Sequence, residues 1–291
     1  MNNNIIIINF LLIIFLNINS FANEIKLSNG INTVHLIDRI NHKSEFKMIA
    51  IDIYIPANSK ITGDILVLPG WKYSRSRWHR ETDMTKYADK YGFRLVFPEM
   101  WVSSYESSYY SETTLKWAFT PGGEWIRSIL LPELKKKYGI FKKDGKNFIL
   151  GLSTGGRGVL LVALQNPDIF SGGATLSGDC DQSLMPGEKT MTVLYGEFSK
   201  FKSRWETVDN PLKEIKADKW KIPLYIGHGK KDKVSPFEQS KLLYDTLKKT
   251  YPNLKIFFNE PDWAEHDFIY WKSEVPNMMN FFNEIVHTKE K

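Results

Sequence analysis

A chain of 291 residues, 42% hydrophobic and 25% charged, has ordinary globular composition and enough length for a sizeable core. The net charge of +6 is spread out, with short runs only at Lys135-Lys136-Lys137 and Lys230-Lys231, and neither run has the interleaved aromatics of a single-strand nucleic-acid groove. The single cysteine, Cys180, excludes an internal disulfide and a multi-cysteine metal site, and it reads as a small buried residue.

Residues Ile5 to Leu16 form an apolar run broken only by Asn9, followed by small residues at Ser20 and Ala22. This is the hydrophobic region and cleavage-site pattern of a secretory signal peptide, although the first four residues carry no Lys or Arg. The run is too short for a membrane span, which needs ~20 residues. The expectation is cleavage after Ala22, leaving residues 23–291 as one domain with no membrane span, in the periplasm or outside the cell.

Further along, short apolar, β-branched runs closed by Gly or Pro predict strands at Phe46 to Ile55, Ile65 to Leu68 and Phe93 to Phe97. A helical pattern covers Glu124 to Lys137 after a Pro-Gly-Gly break. A strand at Phe148 to Leu150 precedes a helix from Thr154 to Gln165, stopped by Asn166-Pro167. Strands are expected at Ala174 to Leu176, Met191 to Tyr195 and Leu224 to Ile226. A helix follows from Pro236 to Thr250, with Ser235 as N-cap and Pro236 at N1. A strand at Leu254 to Phe258 and a helix from Pro276 to His287 complete the chain. Strands alternating with helices predict an α/β fold, a mostly parallel central sheet covered by helices on both faces. In such a sheet, ligands bind at the carboxyl ends of the strands.

One motif falls there. Gly151-Leu152-Ser153-Thr154-Gly155 matches G-x-S-x-G between a predicted strand and a predicted helix. Glycines let the turn bring backbone close, and the helix N-terminus favours negative charge developing beside the serine. No Gly-Lys-Ser/Thr follows, so a phosphate loop does not fit. A serine nucleophile needs a base and an acid to orient it, and on this fold they follow in the order Ser, Asp or Glu, His. Asp232, in the loop after the strand ending at Ile226, is the acid candidate, with Asp179 and Asp181 as rivals. His266 is the base candidate. His35, His42 and His79 precede the serine, His287 lies in the last helix, and His228 suits a role in shaping the Asp232 loop. The oxyanion donors expected are the backbone N–H groups of Thr154 and of Trp71, which follows the strand ending at Leu68. Trp101, Tyr105, Tyr109 and Trp117 belong to a segment expected to overhang the site, where they would either stack on a sugar or aryl group or pack as core.

With these residues in place, the chain resembles the esterase D-like branch of the α/β-hydrolases, which includes feruloyl esterases and mycolyltransferases. The similar segments are Leu68-Pro69-Gly70, Leu131-Pro132-Glu133-Leu134, Gly151 to Gly156, Asn166 to Phe170, Leu176-Ser177-Gly178, and His266-Asp267-Phe268 with Trp271. The resemblance implies an α/β-hydrolase fold, a triad at Ser153, Asp232 and His266, oxyanion donors at Trp71 and Thr154, and neither metal nor organic cofactor. Departures are Pro69 where His or Asp is frequent, Thr154 where Met is frequent, and Glu265 where Gly is common. The expected activity is hydrolysis of a carboxylic ester, carbohydrate-linked or aryl. The same triad would serve an acyltransferase or serine peptidase, and the scaffold could also carry a non-catalytic carbohydrate-binding protein.

Overall fold

The computed structural model describes residues 24–38, 47–57, 60–111, 113 and 121–288. The expected signal peptide and Trp117 lie outside the described residues. The strands are β1 (Gly30–Asp38), β2 (Lys47–Ile55), β3 (Gly63–Leu68), β4 (Phe93–Pro98), β5 (Asn147–Leu152), β6 (Gly172–Leu176), β7 (Leu224–Gly227) and β8 (Ile256–Asn259). They form one sheet in the order β1-β2-β4-β3-β5-β6-β7-β8. The β1–β2 and β2–β4 pairings are antiparallel, and every pairing from β4 to β8 is parallel.

The helices are α1 (Arg77–Glu81), α2 (Met84–Tyr91), α3 (Gly122–Trp125), α4 (Leu131–Tyr138), α5 (Thr154–Gln165), α6 (Lys189–Tyr195), α7 (Phe198–Thr207), α8 (Pro211–Lys216), α9 (Phe237–Thr250) and α10 (Phe268–His287). A π-helical turn, Ile126–Leu130, joins α3 to α4.

Successive side chains of a strand point to opposite faces, and both faces here are apolar because both are covered. Leu66, Leu68, Val96, Ile149, Leu224 and Ile226 pack against α4, α5, α8 and α9. Ile65, Val67, Leu95, Phe97, Leu150, Leu176 and Tyr225 pack against α2 and α10. A smaller third cluster sits over the β3 end, where Met191, Leu194, Tyr195 and Trp205 of α6 and α7 meet Trp71, Tyr109 and Tyr110.

Several expectations are corrected. Met191 to Tyr195 is helix α6, not a strand. The Glu188 carboxylate accepts the Met191 N–H at 2.6 Å and caps the turn, and Met191, Leu194 and Tyr195 bury one face at helical spacing. β1 was not anticipated, although it exposes Ile31, Thr33, His35 and Ile37 in alternation. Helix α10 starts at Phe268 and runs through Pro276, capped by the Asp267 side chain. Helix α9 starts at Phe237, one residue later than expected, so the N-cap is Pro236, which has no side-chain acceptor, and Ser235 belongs to the preceding turn, where its N–H donates to Asp232. Among the described residues no helix is long and apolar enough to cross a membrane.

Candidate active site

Strand β5 ends at Leu152, level with Leu176 of β6, and α5 begins at Thr154. Ser153 alone makes the turn, at φ 54° and ψ −124°. Its N–H donates to Leu176 O at 2.8 Å, and its carbonyl accepts the Arg157 N–H at 3.1 Å. The flanking glycines are required by close approach. A Cβ on Gly151 would lie 2.3 Å from Gly155 O, and one on Gly155 would lie 2.5 Å from Leu68 O. The turn lifts the serine hydroxyl above the carboxyl edge of the sheet.

Asp232 lies in the loop after β7 and His266 in the loop after β8. The two loops are stapled together by backbone bonds from His228 N to Asn259 O, Lys230 N to Pro261 O and Lys231 N to Ala264 O, at 3.0, 3.1 and 3.0 Å. The structure brings the three sequence candidates into one line. His266 Nε2 is 3.0 Å from Ser153 Oγ, and His266 Nδ1 is 2.6 Å from Asp232 Oδ2. The His266 ring meets Trp271 edge-on at 5.0 Å, and the buried Trp271 Nε1 donates to Ser177 Oγ at 3.1 Å, which fixes the imidazole's backing.

The Asp232 carboxylate is fully buried and saturated with donors. Oδ1 accepts the N–H groups of Val234 and Ser235 at 2.8 and 2.9 Å. Oδ2 receives His266 and lies 3.3 Å from Nε2 of the buried His228. Burial pushes this carboxyl upward, but the hydrogen bonds from His228 and His266 outweigh it and hold it well below the usual carboxylate range. His228 therefore acts through its side chain as well as its backbone, with Nδ1 2.7 Å from Ser240 Oγ and Nε2 3.1 Å from Ser235 O. The G-H-G stretch signals the turn but not this contact.

The rival acids are engaged elsewhere. Asp179 pairs at 2.6 Å with Arg157, which is completely buried in α5. Asp181 accepts Ser183 N–H and the Asn210 amide. Cys180 is buried, with its Sγ 3.2 Å from Gln239 O, and burial pushes its thiol well up, away from a reactive thiolate.

Gly70 sits against the nucleophile, since a Cβ there would be 3.3 Å from Ser153 Cβ, so the next peptide, with the Trp71 N–H, lies beside it. Among the described residues neither the Trp71 N–H nor the Thr154 N–H is committed to a backbone acceptor. Ser153, Thr154, Trp71 and His266 line a pocket of about 220 Å³. A further wall is formed by Asp179, Met185, Glu188 and Met191, from the segment before and within α6. Sequence reasoning missed this wall because it read α6 as a strand. Among the described residues no group of three or more His, Cys, Asp or Glu is placed to hold a metal ion.

The aromatic segment divides. Trp101 is 58% exposed, and its carbonyl accepts Lys72 N–H at 2.8 Å, close to the Trp71 turn. Tyr109 packs in the third cluster with Trp71. Tyr105 is corrected as a substrate-stacking residue. It is 0% exposed, with its ring in the core against Gly158 of α5.

Comparisons agree with this architecture. A family model described as "Putative esterase" matches residues 63–282. The chain is 24% identical over 234 residues to the diacylglycerol acyltransferase/mycolyltransferase Ag85A of Mycobacterium leprae (strain TN), covering 70% of this chain and 68% of that protein. Among solved structures it is similar to FphF, a fluorophosphonate-binding serine hydrolase of Staphylococcus aureus, with a TM-score of 0.66, 17% identity, and coverage of 88% of this chain and 99% of the other. It is also similar to an S-formylglutathione hydrolase from Agrobacterium tumefaciens, with a TM-score of 0.67, 13% identity, and coverage of 90% and 98%. At these identities the two structures speak for the fold. The family match runs from β3 into α10 and takes in every strand of the parallel part of the sheet. The chain belongs to this esterase family, and it is a serine hydrolase of the carboxylic-ester type.

Proposed function

We propose that the protein cleaves a carboxylic ester through an acyl-enzyme on Ser153, with His266 as general base and Asp232 as its orienting acid. Ser153 Oγ bonds to the ester carbonyl carbon while its proton passes to His266 Nε2. Asp232, accepting the Nδ1 proton, fixes the tautomer and stabilises the imidazolium. The carbonyl oxygen gains charge and accepts the N–H groups of Trp71 and Thr154. The ester C–O bond then breaks, His266 returns the proton to the leaving alcohol, and water repeats the sequence to release the acid. The observation that carries this reading is the continuous Ser153–His266–Asp232 line, 3.0 and 2.6 Å, built on a strained turn.

The pocket of about 220 Å³ supports a short or aromatic acyl group. Exposed Trp101 beside the Trp71 turn supports an alcohol carrying a sugar or aryl ring, small or attached to a polysaccharide. Transfer to another alcohol uses the same acyl-enzyme, and the similarity to an enzyme named as an acyltransferase supports it as the second reading. The apolar run Ile5 to Leu16 supports export after cleavage at Ala22, leaving residues 23–291 as a single catalytic domain.

A fluorophosphonate probe tests the chemistry. Wild-type protein is labelled at Ser153 and Ser153→Ala is not; labelling that survives this substitution contradicts the reading. In a panel of acetyl, feruloyl and longer acyl esters, short or aromatic acyl groups are turned over best. Clear superiority of long-chain lipid esters overturns the substrate assignment.

A further inference from the structure

The mechanism just proposed needs two backbone donors at a fixed separation, one on the turn after β3 and one at the start of α5. We propose that Tyr105 is a positioning residue that sets this separation, holding the Pro69 carbonyl, and so the neighbouring Trp71 N–H, against the nucleophile helix. The proposal rests on the reading of Ser153 as nucleophile and of Trp71 and Thr154 as donors.

The Tyr105 hydroxyl donates to Pro69 O at 2.7 Å across 36 residues of sequence. A phenylalanine would fill the same core space, so the hydroxyl's place is explained by this bond rather than by packing. The ring lies on Gly158 of α5, where a Cβ would come within 2.4 Å of it. One turn earlier on the same helix, Gly155 is pressed against the same carbonyl, since a Cβ there would be 2.6 Å from Pro69 O. The Pro69 carbonyl is thus held by the hydroxyl and by the backbone of α5, while Gly70 rests on Ser153.

Tyr105 is itself fixed from behind. Its φ of 61° is a left-handed conformation that non-glycine residues rarely adopt. The turn is maintained by Ser103 Oγ, which accepts the Tyr105 N–H at 2.9 Å. The buried Glu106 carboxylate accepts Ser104 N–H at 2.8 Å and Gly122 N–H at 3.1 Å. A strained turn supported on both sides delivers one hydroxyl to one carbonyl beside the site.

The test compares full-length wild type with Tyr105→Phe, which keeps the ring. kcat and KM are measured on a short-acyl p-nitrophenyl ester, together with the rate of fluorophosphonate reaction. In that reaction the Ser153 Oγ–P bond forms as P–F breaks, fluoride leaves, the proton passes to His266, and the P=O oxygen occupies the oxyanion position. A misplacement of ~1 Å can cost ~10²-fold, so a smaller drift of the Trp71 N–H is expected to lower kcat about tenfold, with KM within about twofold and phosphonylation slowed in parallel. A lower thermal midpoint with kcat and phosphonylation unchanged overturns the proposal, as does a rise in KM alone. Ser103→Ala, which keeps the hydroxyl but frees the Tyr105 N–H, should show the same split more weakly, and an unchanged kcat there also overturns it. If Ser153→Ala abolishes turnover while Tyr105→Phe is normal, only the role of Tyr105 fails. If Ser153→Ala keeps its turnover, the reading of the site fails first.

Discussion

At Ser153 the backbone sits at φ 54° and ψ −124°, a conformation costing about 1–3 kcal/mol that surrounding structure must sustain. The bonds to Leu176 O and from Arg157 N do this, and the result is a hydroxyl aimed at His266. Asp232 has the opposite character, a buried carboxylate kept ionised by donors on both oxygens. Its pKa is depressed on folding, so its contribution to stability is present above the unfolded carboxylate value near 3.8 and is lost as pH falls below it. Asp232→Asn is expected to remove that share of the acid-side loss in urea titrations as pH falls below about 4, and to lower kcat on the order of 10⁴-fold by allowing the wrong imidazole tautomer. An unchanged kcat would contradict the role assigned to Asp232. These residues were legible in the sequence because each lies at a fixed place after a recognisable strand. Tyr105 was not, since nothing local in Ser103-Ser104-Tyr105-Glu106 announces a left-handed backbone or a partner at Pro69.

Elements differ in how far their own sequence determines them. Helix α5 runs from Thr154 to Gln165, as its pattern predicts, because the elbow begins it and Asn166-Pro167 ends it. In α6 the run Met-Thr-Val-Leu-Tyr has strand-like composition, and the Glu188 cap together with burial against Trp205 decides for helix. Antiparallel β1 is stabilised by its pairing with β2, which its sequence does not declare. Between elements, Glu106 ties the 103–106 turn to the start of α3. Burial pushes its carboxyl up to about 7, against the N–H groups that favour its charge, with Asp209 adding to the rise. The folded state then keeps a proton that the unfolded chain has released, so stability is expected to fall as pH rises from about 4.5 to about 7 and to level off above. Chemical denaturation of Glu106→Gln across that window should show this slope lost, whatever its absolute stability. A slope identical to wild type would contradict the assignment.

Across the whole molecule, the sheet does the geometric work. Parallel strands β3, β5, β7 and β8 end on one edge, and the loops beyond them carry Trp71, Ser153, Asp232 and His266. Helices cover both faces behind that edge, and α6 with the segment before it adds a wall to the pocket. The parallel part was legible from alternating strands and helices; the wall depends on long-range packing that no local pattern encodes. The central claim is that these loops make one alcohol reactive, and trapping the covalent intermediate tests it most directly. Protein quenched in acid during turnover of a slowly deacylating aryl ester, then digested and mass-mapped, should carry one acyl group on Ser153, absent in His266→Ala. Turnover with no acylated peptide, or with the acyl group on another residue, would contradict the account.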